Sequence, residues 1–183
     1  MIFKNLETND AFALFTFYTK GLSEKSRRMF APYPLFHTPP GSVDELRERI
    51  IEWKKEDDWF GLVMINDCCY IGFGLLKRYR SEQATSAIVI MDALQKRGFG
   101  YLLQSAIIEE ARKLGVKRFH IKVISDNYAS IKLHERCGFK VTRTLPGLYG
   151  EILQYLADED KKNRIVSIDR NVLEMVIELG EIK

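Results

Sequence analysis

Residues 88–115 read IVIMDALQKRGFGYLLQSAIIEEARKLG. An apolar run of strand composition gives way to a basic, glycine-punctuated turn, and the turn opens directly into an amphipathic helix. Gly98 and Gly100 stand at the mouth of that helix, with Lys96 and Arg97 beside them. At the first turn of a helix the backbone N–H groups lack intrahelical partners and carry the positive end of the helix dipole. Glycine there removes the Cβ atoms that would keep a bulky anion away, and the two cations add charge next to it. The stretch therefore reads as a cradle for a phosphate or pyrophosphate, although a turn and a helix start would by themselves justify Gly98.

Working outward, the helix should run from about Gly98 to Leu114 and stop at Gly115, a C-cap. The strand before it should span Ala84 to Met91. Upstream, WFGLVMI and CYIGFGLLKRY are strand-like runs separated by Asn66 and Asp67, which predicts a hairpin. Downstream, VKRFHIKVI alternates Phe119, Ile121 and Val123 against charged neighbours, NYASIKLHERCGF predicts a short helix ending at Gly138, and FKVTRTL returns to strand. A final strand is expected near Val172 to Leu179, after a polar loop or short helix around LYGEILQYLADEDKKN. Toward the N-terminus, residues 9–20 predict a helix behind an Asn9 or Asp10 cap, and Ser42 caps a polar helix with Leu46, Ile50 and Trp53 on one face. Between them GLSEKSRRMFAPYPLFHTPPG carries four of the five prolines and reads as irregular. An antiparallel meander followed by strand, helix, strand, helix, strand predicts an α/β (α+β) mixed sheet with helices on its faces.

At 183 residues the chain is long enough for one substantial core, so a single domain is expected. The net charge of +3 comes from basic and acidic residues mixed along the chain, which argues against a nucleic-acid surface. No apolar run approaches the roughly 20 residues of a bilayer span, and MIFKNLETND lacks signal-peptide character, so a cytoplasmic protein without a membrane partner is expected. Cys68, Cys69 and Cys137 form neither a disulfide framework nor a zinc spacing, and His37, His120 and His134 lie too far apart in sequence for metal-ligand spacing; no metal is expected.

Among phosphate cradles, a Walker-type loop needs GxxxxGK followed by Ser or Thr, and that string is absent. A dinucleotide fold needs GxGxxG, but Leu103 stands three residues after Gly100. Gln95-Lys96-Arg97-Gly98-Phe99-Gly100 instead resembles the Q/R-x-x-G-x-G/A pyrophosphate loop of the GNAT N-acetyltransferase superfamily. A second stretch, Asn127 to Phe139, is similar to that superfamily's N-x-x-A-x-x-L-Y-x-x-x-G-F segment, at the proper distance and with a strand between. The resemblance covers residues 59 to 145 well. GLSEKSRRMF from Gly21 also resembles, more weakly, a substrate-side helix of GNAT domains related to protein acetyltransferases.

The resemblance implies a GNAT-like fold, with a mostly antiparallel, splayed central sheet flanked by helices, and acetyl-CoA as cosubstrate. It places Ile88, Val89 and Ile90 on the splayed strand, where main-chain groups meet the pantetheine arm while the side chains pack in the core. Lys96, Arg97, Gly98, Phe99, Gly100 and Tyr101 would surround the pyrophosphate, and Gln95 would brace the turn or touch the cofactor. Asn127 would contact the cofactor, cap the helix or do both; Ser130 would add a minor contact. His134 stands where many relatives carry the Tyr that protonates the leaving thiolate, and imidazole, with a free pKa of about 6.5 against about 10 for phenol, is a weaker fit to acid duty at neutral pH. Thr85 and Lys122 occupy positions where relatives often carry a Glu base. Neither is a usual base, so deprotonation of the amine would fall to a water chain, Glu82 or solvent. Cys137 reads as a packed thiol rather than a nucleophile.

These residues imply direct transfer of acetyl from acetyl-CoA to a primary amine of a small molecule, a peptide or a protein lysine. Residues 1–58 would form the acceptor side, with Phe30 to Phe36 shaping it, 59–145 the acetyl-CoA core, and 146–183 a polar loop and closing strand. A homodimer is left open. The rival reading is an acyl-CoA sensor or regulatory module that kept the cradle and lost the chemistry.

Overall fold

The fold is that of a computed structural model, which describes residues 1–30, 35–36, 38–146 and 171–180. The loop or helix expected around residues 148–163, and His37, lie outside the described residues. Seven strands form one sheet: β1 (Ile2–Asn5), β2 (Trp59–Asn66), β3 (Cys69–Lys77), β4 (Ala84–Ile90), β5 (Arg118–Ile124), β6 (Lys140–Leu145) and β7 (Val172–Glu178). Their spatial order is β1-β2-β3-β4-β5-β7-β6, and among the described residues only the β4–β5 pair is parallel. The helices are α1 (Ala11–Lys20), α2 (Glu24–Met29), α3 (Val43–Lys55), α4 (Phe99–Lys113) and α5 (Tyr128–Arg136).

The β2–β3 hairpin closes through Asp67 and Cys68, both at positive φ (47° and 63°), the geometry whose twist matches paired strands. Beyond it, the sheet separates two apolar layers. On one face β4 contributes Val89 and Ala87 to a core with α1 and α3, including Leu14, Phe17, Leu46, Ile50 and Trp53. On the other, Ile88 and Ile90 join Leu103, Ile107 and Ala111 of α4 and Phe119, Ile121 and Val123 of β5. Period-two alternation along β4 and β5 thus assigns each residue to a face. Gly72 and Gly74 on β3 let α4 settle onto the sheet, because a Cβ on Gly72 would lie 3.3 Å from Leu103 Cδ2 and one on Gly74 would run into Ile107.

Three expectations change. Ile2–Asn5 is a strand pairing antiparallel with β2, too short for its alternation to declare itself in sequence. Glu24–Met29 is a helix where composition reads as irregular; Ser23 caps it by accepting from the Ser26 amide at 3.2 Å. Phe30, Leu35 and Phe36 are buried, with Phe36 stacked on Tyr18 (ring centroids 4.4 Å apart) and Phe30 edge-on to Phe73. Those side chains are core, and whatever shaping they give an acceptor site is indirect. Among the described residues no helix is long and apolar enough to cross a membrane, and no group of three or more His, Cys, Asp or Glu could hold a metal.

Candidate active site

β4 and β5 run together for only two residue pairs, Ala84 with Phe119 and Thr85 with His120. Past Thr85 the strands part, so β4 from Ser86 to Ile90 pairs with β3 on one edge and leaves its other edge open among the described residues. An open edge of backbone donors and acceptors can take an extended ligand as if it were a further strand. At the apex of the opening, Gln104 of α4, fully buried, meets Ser86 Oγ at 3.3 Å and ties the helix to β4.

The open edge leads to the glycine turn. Lys96 and Gly98 both have positive φ (60° and 89°), and Gly98 is the N-cap of α4. Leu102 is the first residue of α4 whose amide reaches an intrahelical carbonyl, that of Gly98 at 3.2 Å. The amides of Phe99, Gly100 and Tyr101 precede it and stand at the positive end of the helix dipole. Lys96, Arg97 and Gly98 are exposed, and a Cβ on Gly98 would meet nothing within 4 Å. Tyr101 is held from the side by the Arg136 guanidinium, 4.4 Å from its ring centroid. Amides at a helix start, an open corner at Gly98 and two exposed cations suit a diphosphate.

The two glycines differ in their reason for being glycine. A Cβ on Gly100 would lie 2.6 Å from Leu133 Cδ1, so Gly100 admits α5 against α4 rather than clearing space for an anion. Gln95 braces the turn: its Nε2 donates to the Ile90 carbonyl at 3.1 Å and to Asp92 Oδ1 at 3.0 Å. Asp92 in turn accepts from the Ser23 amide at 2.9 Å and fastens the turn to the start of α2. Burial pushes the Asp92 carboxyl upward, but hydrogen bonds from Ser23 and Ser26 outweigh it and hold the pKa below the usual value.

Asn127 caps α5, its Oδ1 accepting from the Ser130 amide at 3.2 Å. One turn later His134 is 5% exposed and edge-on to Phe139. Its Nδ1 lies 2.8 Å from the Ser130 carbonyl, an acceptor only, which assigns the ring proton to Nδ1. Burial pushes the His134 pKa down to about 4, against a smaller upward pull from that carbonyl. At neutral pH the ring is therefore neutral, its one proton is engaged, and Nε2 is an acceptor. Burial also pushes the Cys137 thiol up to about 11, which keeps it protonated and a poor nucleophile.

On the face of the sheet away from α4, paired positions set Lys77, Thr85 and His120 in a row across β3, β4 and β5. Burial, with the Arg78 charge adding to it, pushes the Lys77 ammonium down to about 8, and its Nζ lies 4.8 Å from the Trp59 ring centroid. Next to His120, β7 brings Glu174, whose Oε1 is 3.6 Å from His120 Nδ1. The sequence carries no sign of this neighbour, because β7 begins at Val172, far beyond the end of β5 at Ile124, and enters the sheet between β5 and β6. Glu82 is exposed before β4, and Lys122, exposed on β5, is the residue paired with Glu174 across the β5–β7 ladder.

The chain matches the acetyltransferase (GNAT) domain family over residues 1–140. It belongs to that family. The fold agrees along almost its full length: the GNAT domain superimposes on the spermidine N-acetyltransferase of Vibrio cholerae solved with CoA and spermine, with a TM-score of 0.72, 20% identity, and 97% and 95% of the two chains covered. The Salmonella typhimurium protein yncA, solved with its cofactor acetyl-CoA, gives a TM-score of 0.71 at 20% identity over 99% and 95%. By sequence the domain is 34% identical over 79 residues to the L-methionine sulfoximine/L-methionine sulfone acetyltransferase of Salmonella typhimurium, which is 42% of this chain and 46% of that one. The chain spans from 18% to 46% of the length of the curated relatives it matches.

Proposed function

We propose that this GNAT domain transfers the acetyl group of acetyl-CoA to a primary amine, and that the acceptor is a small molecule. The observation that carries the reading is the continuity of the β4 edge, open among the described residues, with the amides of Phe99, Gly100 and Tyr101 at the start of α4. That path offers strand-like pairing to an extended arm and an anion cradle at its end. Acetyl-CoA supplies an activated thioester whose two phosphates lie at the far end of such an arm. Lys96 and Arg97 add charge to the cradle, Gln95 fixes the turn through Ile90 and Asp92, and Asn127, which caps α5 by accepting from the Ser130 amide, is assigned with Ser130 to the coenzyme. Ile88, Val89 and Ile90 serve through their backbone while their side chains pack.

Two named relatives act on small amine compounds, spermidine in one case and methionine sulfoximine or sulfone in the other, which favours a small acceptor over a peptide or protein lysine. His134, neutral and bonded to Ser130, contributes packing and the shape of α5. The departing sulfur takes its proton from the nitrogen that attacks. Residues 1–58 form the acceptor side and 59–145 the coenzyme side of one domain.

The test is to mix the purified protein with acetyl-CoA and a panel of alkylamines, polyamines, amino-acid analogues and short lysine peptides, and to follow thiol release. Turnover on a small amine is expected. Micromolar coenzyme binding without turnover on any amine would instead mark an acyl-CoA sensor, and no binding would overturn both.

A further inference from the structure

We propose that His120, oriented by Glu174, takes the proton from the acceptor ammonium, through one water, at the point where β4 and β5 part. The proposal rests on the acetyl-transfer reading above and supplies the base that neither Thr85 nor Lys122 can provide.

Three observations carry it. First, His120 Nε2 is a buried nitrogen without a hydrogen-bond partner among the described residues. Such an atom loses its solvation without compensation, which calls for a partner such as a water or a ligand. Second, Glu174 Oε1 lies 3.6 Å from the opposite ring nitrogen, Nδ1. The carboxylate favours the proton on Nδ1, which leaves Nε2 as the acceptor lone pair. Glu174 is itself held in place by Arg143, whose Nε lies 3.5 Å from its Oε2. Third, His120 pairs with Thr85, the last β4 residue joined to β5 before the open edge begins. An arm that enters at the glycine turn and runs back along β4 ends its thioester near this apex. The side chain of His120 is on the face away from α4, since Phe119 and Ile121 occupy the α4 face. The charged groups around it are Arg118 and Lys122 on its own strand, Glu174 and Glu178 on β7, Arg143 on β6, and Lys77 beyond Thr85 on β3.

The balance is simple. The ammonium R–NH3+ gives one proton through water to Nε2 and becomes R–NH2. Its lone pair forms the C–N bond at the thioester carbonyl, the C–S bond breaks, and the nitrogen's surplus proton goes to sulfur to give the thiol. Imidazolium then returns its proton to solvent, so the net products are the acetamide, CoA–SH and one H+.

The test uses the full chain with acetyl-CoA, the best alkylamine from the panel above, and methoxyamine, whose conjugate acid is weak enough to leave it neutral at pH 7. His120→Gln should lower kcat on the alkylamine by about 100-fold while changing its rate on methoxyamine less than about three-fold, with coenzyme affinity and Tm near wild type. Glu174→Gln should lower the alkylamine rate about ten-fold and move the acid limb of its pH profile, a readout that a structural role would leave in place. This second variant carries the test where His120→Gln fails to fold. Equal alkylamine rates in the variants and wild type, or equal losses on both amines, would overturn the role of His120 while leaving acetyl transfer standing. A wild-type protein inactive on the whole panel would overturn both.

Discussion

A Cβ placed on Gly100 would sit 2.6 Å from Leu133 Cδ1, whereas one on Gly98 would meet nothing within 4 Å. The two glycines of one turn therefore answer to different neighbours, one to a helix and the other to the open corner. Gly100→Val should push α5 away and destabilise the protein by about 1–3 kcal/mol. Gly98→Val keeps the packing, carries a backbone cost of about 1 kcal/mol at φ 89°, and should weaken coenzyme binding at least ten-fold. Calorimetric titration with CoA alongside thermal melts separates the two effects, and undiminished affinity in folded Gly98→Val would count against the cradle.

Gln95 should matter to the coenzyme through the shape of the turn. Gln95→Leu removes the donor to the Ile90 carbonyl and to Asp92, which leaves the turn without its brace. CoA affinity is expected to fall several-fold with only a small loss of stability, because the residue is exposed. Asp92→Ala, which also frees the turn from Ser23, should do the same, and a titration showing either variant at wild-type affinity would refute the bracing role.

Acid stability should report on His134. Its pKa is about 4 in the folded chain against an ordinary value of 6.5. The unfolded chain therefore binds more protons between those limits, so stability rises with pH across the window and is complete above 6.5. About 3 kcal/mol should be lost as pH falls through it. His134→Gln can still donate to Ser130 and should flatten that slope in denaturant titrations at pH 7, 6, 5 and 4. Its turnover per folded molecule should stay near normal; a loss of more than ten-fold at unchanged KM would restore the residue to acid duty.

Asp10 should give a second, lower transition. Burial raises its carboxyl, but hydrogen bonds from Lys4 (2.6 Å), Tyr70 (2.7 Å) and the Glu7 amide (2.7 Å) prevail and leave the pKa below 3.8. A lowered carboxylate contributes fully above the ordinary value, and the contribution is lost as pH falls through the folded one. Asp10→Asn should cost about 1–3 kcal/mol at pH 7, and the gap to wild type should close as the pH falls progressively below 3.8, as a series of urea melts would show.

The features legible in the sequence are those written in contiguous residues. Alternation at Phe119, Ile121 and Val123, the cap at Ser42 and the run from Gln95 to Gly100 each declare themselves within a few positions, and together they predict the sheet, its flanking helices and the turn. Features that depend on partners distant in the chain do not. Nothing near Gly100 announces Leu133, and nothing near His120 announces Glu174, because both meetings follow from packing between elements. Ile2–Asn5 is silent for another reason: four residues with only one side chain even partly covered carry too little pattern to tell a strand from a frayed end. His134 shows the limit of carrying a role by position, since burial rather than residue type decides which protonation state the site holds.

Because β4 and β5 share only the pairs at Ala84 and Thr85, the described residues leave an unpaired strand edge between them. A molecule that lies along that gap supplies the missing hydrogen-bond ladder, so its binding energy also becomes cohesion between the two halves of the fold. At 100 times its dissociation constant such a ligand adds about 2.7 kcal/mol to unfolding. The durability of this protein would then track the supply of its own cosubstrate.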